Sequence, residues 1–130
     1  MTFLTAVTVD LPFAPTLARV RESLTEQGFG VITEIDMQAT MKAKLNVEMA
    51  PYVILGACNP KFAHEALELE PSLGVLLPCN VVVRQASQDS TIVEAIDPAT
   101  MVELTGNQEM AGVSTQVGAR LSAALAALSS

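Results

Sequence analysis

The 130-residue chain has no tryptophan, one tyrosine, one histidine and two cysteines. With four scattered phenylalanines besides, it offers no stacking platform for nucleic-acid bases. Positive charge is scarce too: seven Lys and Arg face fourteen Asp and Glu, a formal charge of −7. The closest basic pairs, Arg19/Arg21 and Lys42/Lys44, are too sparse for counterion-release binding to DNA or RNA, or for adsorption to an anionic membrane. No segment reaches the roughly 18 apolar residues that span a bilayer. The stretch from Met1 to Pro15 has no basic residue ahead of its apolar run, and Asp10 interrupts it, so a secretory signal is not expected. Two cysteines do not make a disulfide framework. In the cytoplasm, the expected compartment, they stay reduced.

Catalytic signatures are missing as well. Gly28-Phe29-Gly30 begins a dinucleotide fingerprint, but Thr33 stands where its third glycine belongs. There is no P-loop, C-x-x-C, H-E-x-x-H or G-x-S-x-G. Nothing here names a cofactor.

What remains is a folded domain. Half the residues are apolar and 16% are charged, which excludes the disordered class. The length suits one domain, able to bury roughly two-thirds of its unfolded surface. Phe3 to Asp10 alternates as a strand. A helix follows from Pro12, with Leu17, Val20 and Leu24 on one stripe and Gly28 at its end. Phe29 to Ile35 is the second strand, and Asp36 the N-cap of a short helix with Met37, Met41 and Leu45 on one face, closed by Asn46. The methionines, including Met101 and Met110, fit core packing.

Tyr52–Cys58 has the length of a strand, and Asn59-Pro60 opens a helix as N-cap and N1 residues, ending near Glu70. Gly74–Arg84 is the longest strand candidate, with Pro78 marking a bulge or an edge. Gln85–Ser90 is a polar turn and Thr91–Ile96 the returning strand. Asp97-Pro98 starts a short helix closed by Gly106; the last helix, Gln108 to Leu128, carries a stripe of Met110, Val113, Val117, Leu121, Leu125 and Leu128. The expected fold is a single α+β domain, a two-layer sandwich of about five mostly antiparallel strands with helices packed on the sheet. Its central strands are apolar on both faces, Ile54 and Cys58 on one side and Val53 and Leu55 on the other. A sheet with one wet face would alternate. A homodimer is therefore expected to cover the second face.

One five-residue pattern, Leu-x-x-Cys-Asn, occurs twice, as Leu55–Asn59 and Leu76–Asn80. Together with Gly28–Asp36 (GFGVITEID), Pro51–Pro60 (PYVILGACNP) and Leu76–Val83 (LLPCNVVV), it resembles the domain of unknown function family number 302. The resemblance covers most of the chain. It implies a small bacterial or archaeal α/β protein and a homodimer, without an activity or cofactor. Its motif positions correspond to Glu34, Asp36, Gly56, Cys58, Asn59, Pro60, Pro78, Cys79 and Asn80. The final helix follows the family in pattern alone and points to no site.

The same residues carry the chemical expectation. Cys58 ends a strand and precedes a helix N-terminus, where the helix dipole favours a thiolate. If its strand neighbours that of Cys79, both thiols line one cleft beside the amides of Asn59 and Asn80. Such a cleft suits a small ligand, a soft metal held by Cys58 and Cys79, a reversible disulfide, or a nucleophile at Cys58. Against this stands inert packing, since free cysteine is among the most buried residues. Asn59 has a sufficient task as a helix cap; Asn80, inside an apolar strand, needs a partner. Glu34 and Asp36 face one side of their strand, roughly 7 Å apart, as an acid–base pair or oxygen ligands, although Asp36 also caps a helix. His64 lies off its helix's apolar stripe and is expected in solvent. The reading is a soluble homodimer with a ligand-binding or metal-binding cleft near Cys58, Asn59, Cys79 and Asn80, oriented by Glu34. A thiol-dependent enzyme and a purely structural dimer are the alternatives.

Overall fold

A computed structural model describes residues 2–129. Strands β1 (Leu4–Val9), β2 (Gly30–Asp36), β3 (Tyr52–Cys58), β4 (Cys79–Ser87) and β5 (Ser90–Ile96) form one antiparallel sheet in the order β1-β5-β4-β3-β2. Helices α1 (Phe13–Glu26), α2 (Met37–Leu45), α3 (Pro60–Leu69), α4 (Ala99–Thr105) and α5 (Ala111–Ala126) connect them. This is the expected α+β architecture. Ladder parity assigns the faces. Val53 pairs with Val83 and Val83 with Val93, while Leu55 pairs with Val81 and Val81 with Ala95. All six are buried on the face that meets Val20 and Leu24 of α1 and Leu121 and Leu125 of α5. Each fully buried leucine contributes roughly 1.5–3 kcal/mol. Ser23 ties the two helices together, its hydroxyl donating to the Ala124 carbonyl at 2.6 Å.

The opposite face is open. Ile54, Val82 and Ile92 are half-buried there, and Ile35 is 47% exposed. The two-faced apolar character of β3 and β4 therefore leaves one side without a partner layer among the described residues.

Helix ends follow local chemistry. The Asp36 carboxylate accepts from the Ala39 amide at 2.9 Å, and Asn46 closes α2 in the left-handed region at φ 55. Gly28 (φ 85) and Gly106 (φ 69) end α1 and α4 in the same way. The α5 stripe is as expected, with Met110, Val117, Leu121, Leu125 and Leu128 buried.

Three expectations are corrected. Residues Pro71–Leu76 form a 3₁₀ turn, so the strand expected from Gly74 begins at Cys79. Pro78 has no N–H to give a ladder, and pairing starts one residue later. The polar turn expected over Gln85–Ser90 narrows to Gln88-Asp89, because pairing continues to Ser87↔Ser90 past an irregularity after Gln85. The α2 stripe does not enter the core: no α2 residue is buried and Leu45 is 66% exposed.

Candidate functional site

Antiparallel pairing brings the end of β3 and the start of β4 together, with Ala57 opposite Cys79. At this end of the sheet α3 departs, the 3₁₀ turn returns, and α4 and the first turns of α5 close over the strands. They border a half-open cavity of about 350 Å³, within the size range of small-molecule sites. Ala57, Cys58 and Cys79 belong to its sheet side; Phe62, Ala63, Ala66 and Leu67 of α3 form one wall. Met101 and Val102 of α4, with Met110, Val113, Ser114 and Val117, form another. The lining is almost wholly apolar. Besides the two thiols, its polar side chains are Asn59 and Ser114.

A bulge shapes the rim. Val31 pairs with Ala57 but Thr33 with Gly56, so Ile32 is an extra residue that the ladder leaves over. It reaches the cavity lining while 62% exposed. Close packing beside it requires glycine at position 56. A Cβ there would lie 2.0 Å from Thr33 Oγ1 and 2.7 Å from Pro78 Cγ.

The two cysteines meet at this cavity in different states. Cys58 is half-buried and Cys79 is buried. Burial, aided by the nearby Cys58, pushes the Cys79 thiol up from about 9 to about 11, so it is a neutral thiol at physiological pH. Asn59 also lies in the lining, but not as the expected cap: it makes no capping hydrogen bond to α3. Its amide instead donates to the Gln27 carbonyl at 3.5 Å. Asn59 Nδ2 would stand 3.1 Å from a Cβ at Gly28, so that glycine's φ of 85 and its missing side chain both serve the contact.

The remaining expected site residues lie elsewhere. Asn80 pairs with Gly56 on the opposite face from Cys79 and is exposed, so solvent satisfies it. Glu34 and Asp36 share a face, as expected, since they oppose Leu55 and Val53. They are exposed and outside the cavity lining. Arg21 forms an ion pair with Glu34, and Asp36 is the α2 cap. His64 is exposed and sits 3.5 Å from Glu68 on its own helix. Among the described residues no three His, Cys, Asp or Glu side chains converge as a metal-binding group, and no helix is long and apolar enough to cross a membrane.

The final helix, about which the family resemblance says nothing, supplies Val113, Ser114 and Val117 to the lining. Met101 and Met110 are core residues and cavity walls at once. Helical periodicity marks such positions as buried, but it cannot distinguish a packed neighbour from an empty one.

The family model of Domain of unknown function DUF302 matches residues 5–128. Among solved structures, the chain is similar to the crystal structure of an uncharacterized conserved protein DUF302 from Bacillus stearothermophilus. The identity is 28%, the TM-score is 0.88, and the match covers 96% of this chain and 97% of that one. No curated protein matches.

Proposed function

The chain belongs to the family Domain of unknown function DUF302, a membership that brings a fold but no chemistry, and we propose from the cavity that it binds a small, predominantly apolar molecule. The observation that carries this reading is the roughly 350 Å³ space itself, walled by α3, α4 and α5. Cys58, Asn59, Cys79 and Ser114 are its polar points; Glu34, Asp36 and Asn80 take no part. Its lining is almost wholly apolar and half open to water, and covering such a surface with an apolar ligand is favourable. The test is titration with a neutral apolar dye, N-phenyl-1-naphthylamine. Saturable one-to-one binding is expected, weakened at least about tenfold by the filling substitution Ala63→Phe at unchanged melting temperature. Absence of saturable binding to the wild-type protein refutes the reading.

The half-buried Cys58 in the same lining supports a second reading, a thiol-dependent reaction with Cys58 as nucleophile. Alkylation at Cys58 well below the ordinary thiol range near pH 8.5 supports it; inertness until unfolding removes it. A soft metal held by Cys58 and Cys79 is the weaker form of the site, since the Cys79 thiol resists the deprotonation that a metal ligand needs. If all of these fail, the cysteines are packing.

The open sheet face fits a second copy of the chain. Five strands of about seven residues span roughly 20 by 20 Å, so two such faces bury on the order of 1,000 Å², the lower bound for a specific interface. Ile35, Ile54, Val82 and Ile92 supply its apolar area. Arg84 and Glu94, joined at 2.7 Å, enter it already paired. Light scattering of the wild-type protein should give twice the chain mass, and Val82→Glu should halve it. A monomer at all concentrations overturns the dimer. Such a dimer belongs in the cytoplasm, where both free thiols stay reduced.

A further inference from the structure

We infer that the cavity's occupant is an amphipathic anion, an apolar body ending in one carboxylate; this rests on the apolar-ligand reading above. The observation is a pair of cations, Lys61 and Arg120, that stand outside the cavity lining but against one of its apolar residues. Phe62 of the lining is 5% exposed, and two cations stand over its ring. Arg120 Cζ lies 5.5 Å and Lys61 Nζ 5.9 Å from its centroid. The Arg120 guanidinium also reaches the Gln27 carbonyl at 3.5 Å, the oxygen to which the cavity's Asn59 donates at 3.5 Å. The guanidinium therefore lies within about 7 Å of the amide in the cavity lining.

Arg21, Lys42 and Arg84 are each ion-paired, to Glu34, Glu48 and Glu94. Lys61 and Arg120 have no carboxylate partner among the described residues. Lys44 also has no ion pair among the described residues, but it stands on α2, which contributes nothing to the cavity lining. In a chain of charge −7, two such cations meet at one aromatic ring, with Arg120 near the cavity's side-chain amide. The net negative charge does not cancel theirs locally, because ionic strength of 0.1 M screens exposed charges beyond about 10 Å. An apolar body is held by the wall, and its carboxylate takes charge-assisted hydrogen bonds from Arg120 and Lys61. The space of about 350 Å³ suits a body of medium length.

The experiment displaces N-phenyl-1-naphthylamine from the wild-type protein with decanoate, decanol and decylamine at low and at high salt. Decanoate is expected to bind roughly five- to tenfold more tightly than decanol at low salt, with the preference shrinking as salt rises. The double variant Lys61→Gln/Arg120→Gln should lose the preference while its decanol affinity and melting temperature stay put. Equal affinity for decanoate and decanol, or a preference for decylamine, overturns the anion assignment and leaves the apolar cavity reading standing. If none of the three displaces the dye and the dye itself does not saturate, the cavity reading fails and this inference with it.

Discussion

The two Leu-x-x-Cys-Asn segments are alike in sequence and opposite in circumstance. In the first, Cys-Asn closes a strand: Cys58 is half-buried and the Asn59 amide turns into the cavity lining and on to Gln27. In the second, Cys-Asn opens a strand: Cys79 is buried among the inward residues of β4, and Asn80 points to the open face. The cause is register. Ala57, rather than Cys58, pairs with Cys79, so the repeats are offset by one residue, and one residue reverses a strand's facing. A repeated motif in neighbouring strands thus does not make a repeated site. The pleat decides which copy has chemistry to offer.

The sharpest way to test this asymmetry is through the thiols. With its thiol raised to about 11, native Cys79 should be alkylated at pH 8.5 about 100-fold more slowly than an ordinary cysteine, two pKa units being two decades of thiolate. Peptide mass analysis of the modified protein reads each site separately. The same shift makes stability depend on pH. The folded state holds the Cys79 proton more tightly than the unfolded chain does. Its contribution is therefore complete below about pH 9 and is lost as pH rises through about 11, a fall of at most about 2–3 kcal/mol. Urea unfolding between pH 8 and 11 should show this slope, and Cys79→Ala should flatten it.

The position after the leucine sharpens the contrast further, being Gly56 in one copy and Leu77 in the other. Gly56→Ala forces a methyl against Thr33 and Pro78 and should cost about 1–3 kcal/mol by urea denaturation. The smallest effect separates the asparagines. Asn59→Ala should cost about 0.5–1 kcal/mol, whereas Asn80→Ala on the open face should stay within about 0.5 kcal/mol. Equal costs at the two positions would erase the distinction.

Much of the fold was legible because it is written in local periodicity. The α5 stripe from Met110 to Leu128, the Asp36 cap and the Asn46 and Gly106 helix ends all follow from residue type and spacing. Two failures share a physical reason. Gly74–Leu77 reads as a strand because a short apolar run has no period of its own. The Met37, Met41 and Leu45 stripe reads as core because periodicity reports an amphipathic face without reporting what lies opposite. The candidate site was half legible: Cys58, Asn59 and Cys79 do gather at one cavity, whereas strand parity sends Asn80 away. Glu34 is engaged by Arg21, an ion pair across two elements that no local pattern announces. The cavity itself was hidden, since its walls come from α3, α4, α5 and a one-residue bulge at Ile32.

The strand order also sets how the chain must close on itself. β4 and β5 meet across a two-residue turn, beginning at Ser87↔Ser90, but β1 finds β5 through pairs from Val9↔Thr91 to Leu4↔Ile96. Loop-closure entropy rises with the logarithm of the enclosed length, so the β1 pairing starts about 3 kcal/mol behind the hairpin. The turn after α5, and α5 itself, also pack on β1, which helps to offset that deficit. The first strand and the last helix therefore form a clasp across the sheet, each stabilising the other. Shortening either end should loosen both, and expose the long flank of β5 as an edge open to pairing with another chain.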